Sequence, residues 1–163
     1  MPAKNSTMNV TTPSDREVVV TREFDAPARL VFEAWTNCKH LPHWLLGPEG
    51  WTMPKCEVDL RVGGKYRFGW FRPETGKGFE MYGSYVEIDP PGRLVSTESM
   101  EGAPGETLNT IILEEIEGRT HMTLTIVYDS KEFRDMVLKT GMTRGMEASF
   151  DRLSGYLESQ TVY

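Results

Sequence analysis

The residues able to do acid–base chemistry in this sequence are few. Arg22, Tyr85, Glu98 and Asn109 lie in alternating segments, and such groups matter only if their strands turn them into one space within hydrogen-bond reach of a substrate. Arg22 shares a strand face with Val18, Val20 and Phe24. If that face is internal, its charge must be paired, because an isolated buried charge is costly. It then either orients an acidic ligand or bonds an internal carboxylate; the alternative is a solvated rim position. His40 and His43 stand three apart on a short predicted helix, a spacing a metal pair can use. No third ligand lies at motif distance, so exposed or capping histidines are the favoured reading. His121 falls on a mixed polar strand face. Asp59 and Arg61 alternate with Val58 and Leu60 and read as an ion pair beside the Gly63-Gly64 turn. Glu114, Glu115 and Glu117 read as a solvated strand end.

No GxSxG elbow is present, and Gly63-Gly64 lacks the phosphate-loop pattern, so neither a serine nucleophile nor a nucleotide is supported. No catalytic residue, metal or cofactor is assigned. Cys38 and Cys56 form no CxxC pair and are expected as free thiols, with Cys56 a small core residue rather than a nucleophile. The apolar set is richer. Trp44, Phe68, Trp70, Met81, Tyr85, Met142, Met146 and Phe150 either pack as plain core or line a pocket for an apolar or aromatic molecule, with methionines adapting its shape. Nine methionines in 163 residues favour the pocket for the set, although any single member fits a core equally.

These residues need elements to place them. Arg16 to Phe24 alternates and is rich in β-branched residues, which predicts a strand. Ala28 to Thr36 carries Val31, Phe32 and Trp35 at helical spacing. Asp25 is available as its cap and Pro27 suits its first turn. A second short helix is expected over about Lys39 to Leu45, ended by Gly47-Pro48-Glu49-Gly50. Six strands follow, near Thr52–Leu60, Lys65–Phe71, Gly78–Ile88, Leu94–Met100, Thr107–Glu117 and Thr120–Tyr128. Their links are too short for parallel crossovers. One long helix is expected over about Lys131 to Ser159, capped by Asp129 or Ser130. It carries an apolar stripe interrupted by Gly141 and Gly145, which mark a bend or a close backbone approach. The expected fold is α+β, a curved seven-stranded antiparallel sheet wrapped round a long C-terminal helix, with two short helices after the first strand. Residues 1–15 read as a flexible tail and 16–160 as one domain.

The bulk properties bound the partners. A net charge of -6 argues against nucleic acid, whose binding needs a basic patch. No apolar run spans a bilayer and no secretory signal opens the chain, so a cytoplasmic location is expected. Nothing in the sequence decides between monomer and homodimer.

Several collinear motifs carry a family resemblance. They are Arg22-Glu23-Phe24-Asp25-Ala26-Pro27 with Val31-Phe32-Glu33-Ala34-Trp35-Thr36, then Trp44 with Gly47-Pro48-Glu49-Gly50, Asp59 to Arg67, Gly83 to Leu94, and Gly141 to Glu147 with Asp151-Arg152-Leu153. Over about residues 16 to 159 the chain resembles the activator of heat-shock-protein-90 ATPase homologue-like family, within the START-like (SRPBCC) superfamily. The resemblance implies a helix-grip fold with an internal cavity and no fixed activity, because superfamily members differ in cavity lining rather than in fold. It points first to a small hydrophobic ligand held between sheet and C-terminal helix. A protein-interaction or chaperone-cofactor-like module is the next reading, and a polyketide cyclase or dehydratase-like enzyme the third.

Overall fold

The computed structural model describes residues 7–160. Its elements run β1 (Asn9–Thr11), β2 (Glu17–Phe24), α1 (Ala28–Thr36), α2 (Leu41–Trp44), β3 (Thr52–Val58), β4 (Lys65–Arg72), β5 (Lys77–Asp89), β6 (Arg93–Met100), β7 (Thr107–Ile116), β8 (Arg119–Val127), α3 (Lys131–Leu138) and α4 (Met142–Gln160). The strands form one antiparallel sheet in the order β1-β2-β8-β7-β6-β5-β4-β3. Tight turns link β3 through β8 in sequence, whereas β2 reaches β8 across the whole domain, from Glu17 opposite Val127 to Phe24 opposite Thr120.

Side-chain alternation fixes which face is internal. Val18, Val20, Arg22 and Phe24 of β2 are buried, and so are Thr120, Met122, Leu124 and Ile126 of β8. They share one core with Phe150, Leu153 and Leu157 of α4 and with Val31 and Phe32 of α1. The same inner face continues through Ile111 and Leu113 of β7, Leu94 of β6, Tyr85 of β5 and Tyr66, Phe68 and Trp70 of β4.

Several expectations change. The sheet has eight strands, because Asn9–Thr11, inside the segment read as a tail, pairs with Val19–Thr21. Residues 1–6 of that segment lie outside the described residues. The C-terminal helix is two helices. Ser130 caps α3 by accepting from the Phe133 N–H at 3.0 Å. Gly141, at φ +83°, then ends that run, a left-handed conformation open to glycine. Gly145 lies within α4, where a Cβ would stand 3.4 Å from the Pro48 ring, so it marks the close approach rather than the break.

Asp25 does not cap α1. Pro27 occupies that position, and Glu115 of β7 accepts from the Ala28 N–H at 2.8 Å, so the carboxylate read as solvent-facing serves the helix end. Cys38 and Cys56 are not free thiols. They form a disulfide that joins the turn after α1 to β3. Chain folding brings Cα atoms 18 residues apart in sequence to 5.7 Å, a proximity that spacing alone does not reveal.

Candidate functional site

The central strands bring polar side chains together on the inner face. Antiparallel register sets Ser96 opposite both Tyr85 and Asn109, and Glu98 opposite Thr107. A network then links them. The Thr107 hydroxyl donates to Asn109 Oδ1 at 2.9 Å, and Asn109 lies near enough to Glu98 to favour its charged form. Tyr66 donates to the Thr97 carbonyl at 2.5 Å and is also hydrogen-bonded to Ser96. Its ring lies 5.0 Å from Phe68 and 5.4 Å from Tyr85, centre to centre. Tyr128, just past β8, donates to the Met142 sulfur at 3.4 Å and meets Phe133 edge-on.

The electrostatics follow from enclosure. Burial pushes the Glu98 carboxyl up to about 7, only partly opposed by the Asn109 hydrogen bond. Burial also pushes Tyr85 and Tyr128 up to about 12, with the Glu98 charge adding to the effect on Tyr128. Tyr66 is raised well above the ordinary phenol range, first by burial and then by Glu98. Near neutral pH the cluster therefore offers three neutral phenols and one carboxyl poised between its two forms. Such a set can donate hydrogen bonds and exchange a proton.

Glycine makes room for it. A Cβ at Gly83 would overlap the Thr97 carbonyl and lie 2.7 Å from the Tyr66 hydroxyl. The β5–β6 register shifts two residues later, between Tyr85 and Glu87, a bulge of the kind that re-aims side chains.

Of the four acid–base candidates, Glu98 and Asn109 lie together, Tyr85 shares their face across Ser96 and against the Tyr66 ring, and Arg22 lies elsewhere. Arg22 is internal, with its side chain 1% exposed, and it is paired: Nη1 donates to Asp151 Oδ1 at 2.7 Å and Nη2 to Ser154 Oγ at 3.2 Å, both on α4. The ion pair read for Asp59 and Arg61 forms at 2.8 Å. His40 contacts the Tyr156 hydroxyl, and His43 stacks on the same ring. Among the described residues no group of three His, Cys, Asp or Glu side chains is placed to hold a metal.

The apolar candidates divide. Trp44 and Phe150 are fully packed; Trp44 donates to the Ala34 carbonyl at 3.0 Å, and both rings meet Trp35. Trp70 donates to the Leu45 carbonyl at 2.7 Å and stacks on Phe79. Phe68 and Tyr85 are buried, whereas Met81, Met142 and Met146 are half-buried against the core. Tyr66, Ser96, Thr107 and Tyr128 are cluster members that the sequence reading did not select. Alternation alone places Ser96 on the face of Glu98 and Thr107 on that of Asn109, so that signal was present; the contact of Tyr128 with the start of α4 was not readable. A separate open groove of about 650 Å³ runs between α1, the end of β3 and the Pro90-Pro91 turn, lined by Arg29, Phe32, Glu33, Asn37, Val58 and Leu60 among others. None of the expected site residues lines it.

An antiparallel sheet curved about a C-terminal helix, with two short helices after the first full strand, defines a START-like α+β protein. The family model for the activator of Hsp90 ATPase homolog 1-like protein matches residues 25–158, and the chain belongs to that family. Among solved structures, a Rhodobacter sphaeroides protein is 30% identical with a TM-score of 0.88, covering 93% of this chain and 98% of that one. An Arthrobacter aurescens protein is 26% identical with a TM-score of 0.82, covering 93% and 91%. An AHSA1-like protein from Aeromonas hydrophila shares the fold at 17% identity and a TM-score of 0.67, covering 85% and 93%. No curated protein is a significant match. No described helix is long and apolar enough to cross a membrane.

Proposed function

We propose that this protein binds a small apolar or aromatic molecule between α4 and the inner face of β4 to β7. The observation that carries the reading is a contrast within one sheet face. Inner side chains of β2 and β8 are sealed against the core, whereas Met81, Ser96, Glu98 and Asn109 on the central strands keep accessible surface, as do Met142 and Met146 on α4. Inward side chains that keep accessible surface are what a hollow for a ligand between sheet and helix would leave exposed. Burial that raises the Glu98 carboxyl while leaving it accessible fits the same picture. The walls are aromatic and thioether, with a few convergent polar groups, the usual make-up of a small-molecule site. Phe68, Trp70, Met81, Tyr85, Met142 and Met146 line this hollow, and Trp44 and Phe150 support it from the core behind. Arg22 serves as an internal tie.

The test uses a neutral apolar fluorophore, N-phenyl-1-naphthylamine. Saturable enhancement is expected with the natural protein and its loss with Met146→Trp and with Ser96→Phe, each of which fills the space. Enhancement unchanged in both variants, or absent from the natural protein, overturns the reading. A cyclase- or dehydratase-like activity is the second reading, favoured by Tyr85, Glu98 and Asn109 sharing one inner face.

A further inference from the structure

We propose that Glu98 is the polar anchor of the hollow, and that the ligand is an aromatic molecule carrying a neutral hydrogen-bond acceptor, such as a ketone oxygen, which accepts a hydrogen bond from the Glu98 carboxyl group. The inference rests on the ligand-binding reading above and specifies its ligand.

The geometry supports it in three ways. The Thr107–Asn109 pair is oriented, because Asn109 Oδ1 already accepts from Thr107, which leaves the amide N–H group as what Asn109 can offer to Glu98. Glu98 thus has β7 on one side, and it keeps accessible surface on the inner face of the sheet. Two of the three phenols are engaged, Tyr66 with the Thr97 carbonyl and Tyr128 with the Met142 sulfur, and the third, Tyr85, is a weaker donor than a carboxyl group. Glu98 is therefore the strongest donor free to meet an incoming group. Finally, Tyr66, which feels the Glu98 charge, packs its ring against those of Phe68 and Tyr85, an aromatic wall that suits a flat aromatic body.

A neutral acceptor fits better than an anion or a cation. No Arg or Lys is left to receive a carboxylate ligand there, since Arg22 is bound to Asp151, and Arg134 to Asp135 and the Ser14 carbonyl. A cation would meet a single carboxyl whose enclosure favours its neutral form. The groups that face Glu98 are Tyr66 on β4 and Tyr128 beyond β8, while Tyr85 on β5, Glu106 before β7 and Arg134 on α3 act on those phenols or border them. The phenols ionise only in strong alkali, so between pH 5.5 and 8.5 the change of charge in this set belongs to Glu98.

The experiment compares 2-acetylnaphthalene with 2-ethylnaphthalene, near-isosteres that differ in the carbonyl oxygen, by titration calorimetry or displacement of N-phenyl-1-naphthylamine. At pH 5.5 the ketone is expected to bind about 10-fold more tightly, the value of one net hydrogen bond of ordinary strength. At pH 8.5 that preference should disappear, because a carboxylate cannot donate. Glu98→Gln should keep the preference at both pH values through its amide N–H, and Glu98→Leu should abolish it at both. A preference that survives in Glu98→Leu, or a pH dependence that survives in Glu98→Gln, overturns the anchor. Equal binding of the two compounds to the natural protein at pH 5.5 overturns the anchor and leaves the hollow standing; binding of neither overturns both.

Discussion

The Glu98 carboxyl loses most of its hydration when β6 closes against β7, and the Asn109 amide restores only part of it. That imbalance has a consequence for stability with a definite sign. The ordinary value of 4.5 is raised to about 7 in the folded chain. At pH 4 both states hold the proton and the group has little effect. Between the two values the unfolded chain releases a proton that the folded chain retains, so stability falls as pH rises. Above about pH 7 the full cost is present, up to about 3 kcal/mol at about 1.4 kcal/mol per unit. Glu98→Gln removes the ionisation. Its melting temperature should exceed that of the natural protein at pH 8.5, and the difference should close towards pH 4. A difference of constant size across that range would contradict the assignment. At this scale the sequence was partly readable: Tyr85, Glu98 and Asn109 were named as polar candidates, whereas Arg22 stayed open between an inner face and a solvated rim, because the partner that decides it, Asp151, lies 129 residues away.

Two ties between elements carry further expectations. Arg22 fixes β2 to α4 through Asp151, whose own side chain is 55% exposed. Asp151→Ala strips the carboxylate from an enclosed guanidinium and is expected to cost about 3 kcal/mol, the lower end for breaking a buried pair, because its partner is part-solvated. Arg22→Met combined with Asp151→Ala should recover much of that loss in denaturant titrations. If the double variant is as unstable as the sum of the single changes, the pair is not coupled. The second tie is Cys38–Cys56, which holds the turn after α1 against β3. Closing a loop of 18 residues stabilises by about 3 kcal/mol on chain-entropy grounds. Unfolding in the presence of a reductant should therefore occur at lower temperature, and the Cys38→Ser/Cys56→Ser variant should show no further response to reductant. Thiol titration of the unreduced, unfolded chain should find no free cysteine; two free thiols would remove the tie. The boundaries of β3 to β8 were legible to within a few residues because turn residues punctuate them. The division of the C-terminal helix was legible only as two glycines, since which of them breaks the helix depends on where Pro48 packs.

Across the whole molecule the grip is uneven. β2 and β8 press their inner residues onto α4, whereas β5 and β6 present half-accessible side chains and a register shift. Local opening should follow that division. Hydrogen exchange is expected to be slowest at the amides of Met122 to Ile126 and measurably faster around Tyr82 to Val86. A bound ligand should slow the second group more than the first. At 100 times its dissociation constant such a ligand would add about 2.7 kcal/mol to stability. Uniform protection across the sheet, with no ligand-dependent change near Tyr85, would argue against a site on the central strands.

The sequence by itself determined the α+β class, the antiparallel order of short strands, which residues share a strand face, and the family. Those follow from local periodicity, turn chemistry and collinear motifs, all of which act within a few residues. Tertiary structure alone decided that Asn9–Thr11 adds an edge strand, that Glu115 rather than Asp25 serves the start of α1, that Cys38 meets Cys56, and that Arg22 ends on Asp151 while Glu98 ends on Asn109. Each is a choice between partners distant in the chain. Periodicity fixes which way a side chain points, but only the curvature of the sheet and the seating of the helices fix what it meets.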